Sequence, residues 1–338
     1  MKIIHNPSLI HYNSFHLPVF AREMAILESA KDFKEIFERY DFRNQKYLVL
    51  GEGSNILFKE NFDGLIITSS MDQIRILEEN ELFALIEVDA GLNWHKLVQQ
   101  TISMGYQGLE NLSLIPGKVG AAPIQNIGAY GVEIERFIDS VIGIDTFSRE
   151  LLNFSKEECR FSYRSSIFKT SYKNQIIIRA VRLKLNKIPE FNISYDKIRE
   201  TLELLGPENL SAASISRAVV QIRKDKLPDP DKIGNAGSFF KNPVVDKIDY
   251  EGLKAEFPEI QGHEISPDAV KIPAAWLIEQ CGWKGKRIKD AGIHQNHALV
   301  LVNHGNASGK ELLQLSKKIQ RSVSDKFGIL LEPEVNIV

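Results

Sequence analysis

Two hydrophobic periods alternate along this chain. Short apolar runs at 46–50 (KYLVL), 56–58 and 65–68, and the apolar-rich stretch 81–90, predict strands. At 93–104 (NWHKLVQQTISM) the period changes: Trp94, Leu97, Val98 and Ile102 fall on one helical face, and Gly105 ends the helix. Strand patterns return at 137–147 and 175–185. Between them Ser155-Lys156-Glu157-Glu158 fits a capping box and predicts a helix start. Helices are predicted at 196–205, 214–226 and 273–281, and a strand at 297–302. A long helix opens at the capping box Ser308-Gly309-Lys310-Glu311 and closes at Gly328. The chain ends in a strand pattern, 329–338, interrupted by Pro333; pairing far upstream would return this end to the first domain. Leu227-Pro228-Asp229-Pro230-Asp231 cannot continue a helix and marks a boundary. Strands and helices mix without regular βαβ alternation, which predicts an α+β fold.

Composition adds limits. A chain of 338 residues predicts two or three domains. With 42 Lys plus Arg against 44 Asp plus Glu, bulk attraction to nucleic acid or anionic membrane is not expected. The two cysteines, Cys159 and Cys281, cannot build a disulfide framework and read as reduced thiols. The first residues lack the apolar core of a secretory signal, and the longest apolar run, 272–278, is far below the roughly 20 residues that span a bilayer. A soluble, cytoplasmic protein without membrane insertion is the expectation. His294, His297 and His304 lack an HExxH pattern or a nearby carboxylate, so no metal site is expected.

Residues 112–131 (LSLIPGKVGAAPIQNIGAYG) hold four glycines and two prolines with few charges. An irregular segment this apolar must satisfy its backbone groups somehow, and a polar ligand is one way. The strand–GEGSN turn at 51–55 offers N–H groups that could converge on an anion, although GxGxxG fails because position 56 is Ile. A plain tight turn is the alternative. Together the two segments suit a diphosphate and a flat ring, with Gln125 and Asn126 at ring edges. A β-branched side chain at Gly53 would then block the diphosphate. Arg223, Lys224 and Lys226 cluster at a helix end; they read either as cations welcomed by the helix dipole or as a diphosphate clamp. Ser238 lacks the GxSxG context of a hydrolase nucleophile. Glu332 and Glu334 sit two apart on a strand pattern, hence on one face.

In this order LGEGSNILF, GLENLSLIPGKVGAAPIQNIGAYG, CRFSYRSSIFK, KLPDP, GNAGSFFKNP and LEPEV resemble the motifs of the UDP-N-acetylenolpyruvoylglucosamine reductase (MurB) family, over about residues 47 to 335. The segment near Tyr195 resembles the family's longer type, in which a tyrosine loop closes over substrate. The resemblance implies an FAD-binding fold of the vanillyl-alcohol-oxidase (PCMH) type with a third α+β substrate domain. The boundaries expected are 1–72 plus 330–338 and 73–227 for the two FAD-binding subdomains, and 228–329 for the C-terminal substrate-binding domain. It implies non-covalent FAD, held by Gly51, Glu52, Gly53, Ser54, Asn55, Ile56 and Leu57, and by Pro116, Gly117, Val119, Gly120, Pro123, Gln125, Asn126, Gly128, Ala129, Tyr130 and Gly131.

The implied activity is reduction of UDP-N-acetylglucosamine enolpyruvate to UDP-N-acetylmuramate for peptidoglycan, with NADPH as hydride donor. Arg164 matches the catalytic arginine, Ser238 the proton donor and Glu334 the catalytic glutamate; Tyr195, Arg223, Lys226 and Asn242 match substrate contacts. Two positions depart from the pattern. His297 stands where some members have Gln, and Asn336 where others have Arg. Another FAD oxidoreductase of the same fold, or a non-catalytic nucleotide-sugar-binding protein, are the alternatives.

Overall fold

The computed structural model describes residues 1–206 and 210–338. They form two compact units. One comprises Met1–Pro7, Ala21–Glu52 and Asp63–Asp225; the other comprises Ser8–Phe20, Gly53–Phe62 and Lys226–Val338. Among the described residues, no helix is long and apolar enough to cross a membrane.

The first unit is built on two sheets. One has four strands, in the spatial order Lys2–His5, Ala21–Leu27, Phe62–Ser69, Tyr47–Val49. The other has five antiparallel strands, in the order Leu151–Ser155, Ile138–Asp145, Ile176–Asn186, Phe83–Asp89, Ile74–Glu79. Strand alternation decides which side of the larger sheet is covered. Ala84, Ile86 and Val88 are fully buried and share a core with Trp94, Leu97 and Val98 of the helix Trp94–Ser103. On the opposite face Glu87 lies across from both Arg75 and Arg182, and Arg182 Nη2 reaches its carboxylate at 3.0 Å. Unlike charges directly opposite each other are the favourable cross-strand arrangement. The helix that the periodicity predicted forms, and Asn93 caps it, its Oδ1 accepting the Lys96 N–H at 3.0 Å.

The helix expected at Ser155 does not form. The capping-box bonds are present, with Glu158 Oε2 accepting the Ser155 N–H at 2.8 Å and Ser155 Oγ the Glu158 N–H at 3.3 Å. One turn follows, closed by Cys159 N–H on the Ser155 carbonyl. Arg160 then takes a φ of 45°, a left-handed conformation that stops propagation. Burial pushes the Cys159 thiol up to about 12, so it stays protonated and inert.

The second unit holds a four-stranded sheet in the order Gly234–Ser238, Val300–Asn303, Ala291–Ile293, Arg287–Ile288, and a three-stranded one in the order Val244–Asp246, Ala269–Lys271, His263–Ser266. The strand expected at 297–302 begins only at Val300, so His297 lies in the turn before it. The C-terminal strand shrinks to Asn336–Ile337, parallel to Ile56–Leu57, because Pro333 limits its neighbourhood to one bridge with Phe240. The helix Gly309–Phe327 has both bonds of its capping box and a left-handed Gly328 at its end, as expected. Replacing Ser308 by Ala should remove that cap and lower unfolding free energy by about 0.5–2 kcal/mol, read from urea unfolding. An unchanged midpoint would show that the flanking packing alone fixes the helix start.

Candidate active site

In the first unit, one carboxylate organises the glycine-rich segment. Glu52 leaves the end of the strand Tyr47–Val49 and accepts the Gly117 N–H at 3.0 Å and the Asn93 amide at 2.7 Å. Gly117 has a φ of 117°, open to glycine and strained for other residues. Its carbonyl accepts the Trp94 N–H, so helix cap, turn and segment share one knot. Lys118 adds a second tie through Nζ to the Ser69 carbonyl at 2.6 Å; burial holds its pKa below the usual lysine value. Downstream, a Cβ on Gly120 would stand 2.7 Å from that of Ala90, so only glycine lets the segment lie against this edge.

Asn126 is fully buried, and its amide is engaged by the fold. Its Nδ2 donates to Glu133 at 2.9 Å, and its Oδ1 accepts the Glu135 N–H at 3.1 Å. These bonds make the residue a support for the shape of the segment. Arg164, with a left-handed φ of 55°, donates from Nη2 to the Gly128 carbonyl at 2.9 Å. The sequence separates these two residues by thirty-six positions. Tyr130 and Tyr195 meet edge to face at 5.2 Å, and the Arg223 charge lies near Tyr130. Thus Tyr195 and Arg223 converge on Tyr130. Arg223 turns inward, half-buried, whereas Lys226 at the same helix end is exposed.

In the second unit, Gly53 takes a φ of 67°, and an added Cβ would fall 2.0 Å from the Tyr12 carbonyl oxygen. Its own carbonyl accepts the Ser14 N–H at 3.1 Å, and the Ser14 carbonyl accepts the Asn235 N–H at 2.8 Å. The turn is thereby tied to the strand that ends at Ser238. The expectation for Gly53 changes accordingly: glycine is demanded by the protein's own backbone before any ligand is considered. Phe239, next to Ser238, accepts the Glu334 N–H at 2.8 Å, and the Glu334 carbonyl accepts the Asn55 amide at 3.3 Å. Ser238, Glu334 and Asn55 therefore share one neighbourhood. Glu332 is exposed and pairs with Lys241 at 3.0 Å.

Asn242 Oδ1 accepts the Ala274 N–H at 3.0 Å, at the start of the helix Ala274–Gln280, leaving its amide nitrogen for other partners. His297 Nδ1 accepts the Leu299 N–H at 3.3 Å; burial, then the His294 and Lys226 charges, hold its pKa below the usual value. Asn336 Nδ2 donates to the Asn55 carbonyl at 3.1 Å.

An FAD diphosphate needs hydrogen-bond donors, and backbone N–H groups without a protein acceptor are candidates for that part. Among the described residues, no protein acceptor takes the N–H groups of Gly51, Glu52 and Gly53, and Gly53 is buried. The glycine-rich segment supplies backbone held open by glycine. These features fit FAD and define the class, a flavin-binding α+β protein. Residues 22–149 match the FAD binding domain model, and 229–338 match the model of the UDP-N-acetylenolpyruvoylglucosamine reductase C-terminal domain. Proteins named UDP-N-acetylenolpyruvoylglucosamine reductase from Amoebophilus asiaticus and Flavobacterium johnsoniae are 46% identical over 338 residues and 44% identical over 339 residues, each match covering 100% of both chains. The crystal structure of UDP-N-acetylenolpyruvylglucosamine reductase (MurB) from Thermus caldophilus shares the fold, with a TM-score of 0.67 at 24% identity over 99% of this chain and 98% of that one. The chain belongs to the UDP-N-acetylenolpyruvoylglucosamine reductase family.

Sequence reasoning passed over Lys118 and Ser14. Lys118 carried a signal, a lone cation in a segment of few charges; Ser14 carried none. Gly53→Val should lower the stability of the FAD-free protein by at least about 2 kcal/mol in urea unfolding, because side chain and backbone cannot both fit. Normal stability with weakened FAD binding would instead return Gly53 to a ligand-facing role.

Proposed function

We propose that this protein reduces UDP-N-acetylglucosamine enolpyruvate to UDP-N-acetylmuramate, using NADPH and non-covalent FAD, in the cytoplasmic supply of peptidoglycan precursors. The observation that carries this reading is full-length identity of 46% to a relative bearing that name, with an FAD binding domain over 22–149. The three-domain division belongs to the proposal, with FAD on 1–72 plus 330–338 and 73–227, and substrate on 228–329. Separate sheets on either side of residue 72 support the first boundary.

The chemistry a bound FAD supplies is hydride transfer, from NADPH to C3 of the enolpyruvyl double bond. The turn N–H groups at 51–53 and the segment from Pro116 to Gly131 would hold it. Arg164 meets the substrate carboxylate, where negative charge grows as C3 gains hydride. A guanidinium offers two parallel donors and a permanent charge there. Its bond to the Gly128 carbonyl orients it and keeps it beside the glycine-rich segment. Ser238 gives its hydroxyl proton to C2, and water restores that proton. Glu334 is the third catalytic residue, held by backbone bonds to Phe239 and Asn55. Arg223 and Lys226 take the substrate diphosphate, with Tyr195, Asn242 and His297 as further contacts.

Ser238→Ala separates the two halves of the reaction. Reduction by NADPH should proceed near the wild-type rate, whereas reoxidation by the enolpyruvyl substrate should slow by about 10²–10⁴-fold in stopped-flow absorbance. A loss confined to the NADPH half would remove Ser238 from the proton-donor role. Arg223→Ala and Lys226→Ala should each weaken UDP-sugar binding by about 1.5–3 kcal/mol in titration calorimetry, with a smaller effect on FAD. Unchanged affinity in both would leave these cations as helix-end charges.

A further inference from the structure

Leu114 is held from both sides. Its φ of 58° is left-handed, a region leucine rarely enters without outside help. Its N–H donates to His95 Nδ1 at 3.0 Å, from the helix Trp94–Ser103. Its carbonyl accepts Arg223 Nε at 3.2 Å, from the helix Ala212–Lys226. Next to it the Ser113 and Ser216 hydroxyls lie 2.7 Å apart, so the loop and the second helix are pinned at two successive residues. Nε is committed to this carbonyl, which anchors the planar guanidinium at one donor and so sets the direction of the others.

We propose that His95 is a positioning residue for substrate binding: by accepting the Leu114 N–H it holds the Leu114 carbonyl under Arg223 and so aims the guanidinium at the substrate diphosphate. This rests on the diphosphate role given to Arg223 above. Only neutral His95 can serve. A proton on Nδ1 would turn the acceptor into a donor facing another donor. The charged groups facing the ring are Arg223 and Lys224 of the neighbouring helix, and Lys96 is its neighbour in sequence on its own helix. Burial, then these two facing cations, keep its pKa below the ordinary 6.5. The contact is therefore complete above that value and is lost as pH falls below it.

The test uses FAD-loaded protein, wild type, His95→Asn and His95→Leu. Asparagine Oδ1 hangs from Cγ as histidine Nδ1 does, so it can accept the same N–H but cannot take up a proton near neutrality. Calorimetric titration with UDP-N-acetylglucosamine enolpyruvate should show a Kd raised about tenfold in the Leu variant and within about threefold of wild type in the Asn variant. Wild-type affinity should fall from about pH 7 to about pH 5, and the Asn variant should lose that His95-dependent fall. Amide exchange across 112–118, by mass spectrometry, should be faster in the Leu variant and unchanged in the Asn variant. Wild-type affinity in the Leu variant, or equal losses in both variants, would overturn the proposal. Should wild type fail to bind the UDP-sugar, the proposed function falls. The exchange measurement then still decides whether His95 holds Leu114, with unchanged exchange in the Leu variant overturning it.

Discussion

A buried stretch of irregular backbone must find hydrogen-bond partners inside the protein, and residues 112–131 impose that demand on the whole first unit. Regular structure would satisfy such groups automatically. Here several are met one at a time: Gly117 by Glu52, Val119 and Gly120 by the Leu92 and Ala90 carbonyls, and the Gly128 carbonyl by Arg164. These partners come from three separate stretches of the chain. The segment's shape is therefore set by the surrounding fold, and a ligand meeting it meets preformed geometry. Such pre-organisation lowers the ordering cost of binding.

The second unit solves a related problem differently. Its candidate residues are each fixed by backbone bonds. Ser238 ends one strand, Glu334 is held by its N–H and carbonyl, and the turn at Gly53 is tied through Ser14 to Asn235. Rigid backbone at Ser238 is what the proposed proton transfer would require, since such transfer falls off steeply with misplacement.

Legibility in the sequence followed how local each determinant is. The helices 94–103 and 309–327 could be read because period, cap and terminating glycine all lie within the element. The capping box at Ser155 was read correctly as bonding and wrongly as a helix, because the left-handed Arg160 beyond it carries no sequence mark. Gly53 was legible as a necessary glycine but not for its reason, since Tyr12 lies forty-one positions upstream. The glycine-rich segment stood out by composition, yet the pairing of Arg164 with Gly128 depends on contacts no local pattern encodes. Roles for Arg164, Ser238 and Glu334 came only through the family's motifs, because a lone arginine, serine or glutamate has no chemistry of its own until its neighbours are known.

The two departures from the family pattern also differ in kind. At 336 a charged side chain is exchanged for an amide, and that amide is used locally. It bonds the Asn55 carbonyl, beside the strand pair that joins 336–337 to 56–57. The positive field an arginine would add is absent at this position, while the strand pairing is kept. At 297 the exchange preserves more. With Nδ1 accepting from Leu299, the ring's proton belongs on Nε2, and burial together with the nearby cations disfavours a second one. A neutral imidazole with one N–H is a hydrogen-bond donor without charge, as is the amide of glutamine. The substitution thus alters shape and reach more than electrostatics, which is why a substrate contact at His297 is compatible with the family's chemistry whereas the field near Asn336 has to be supplied by other residues or done without.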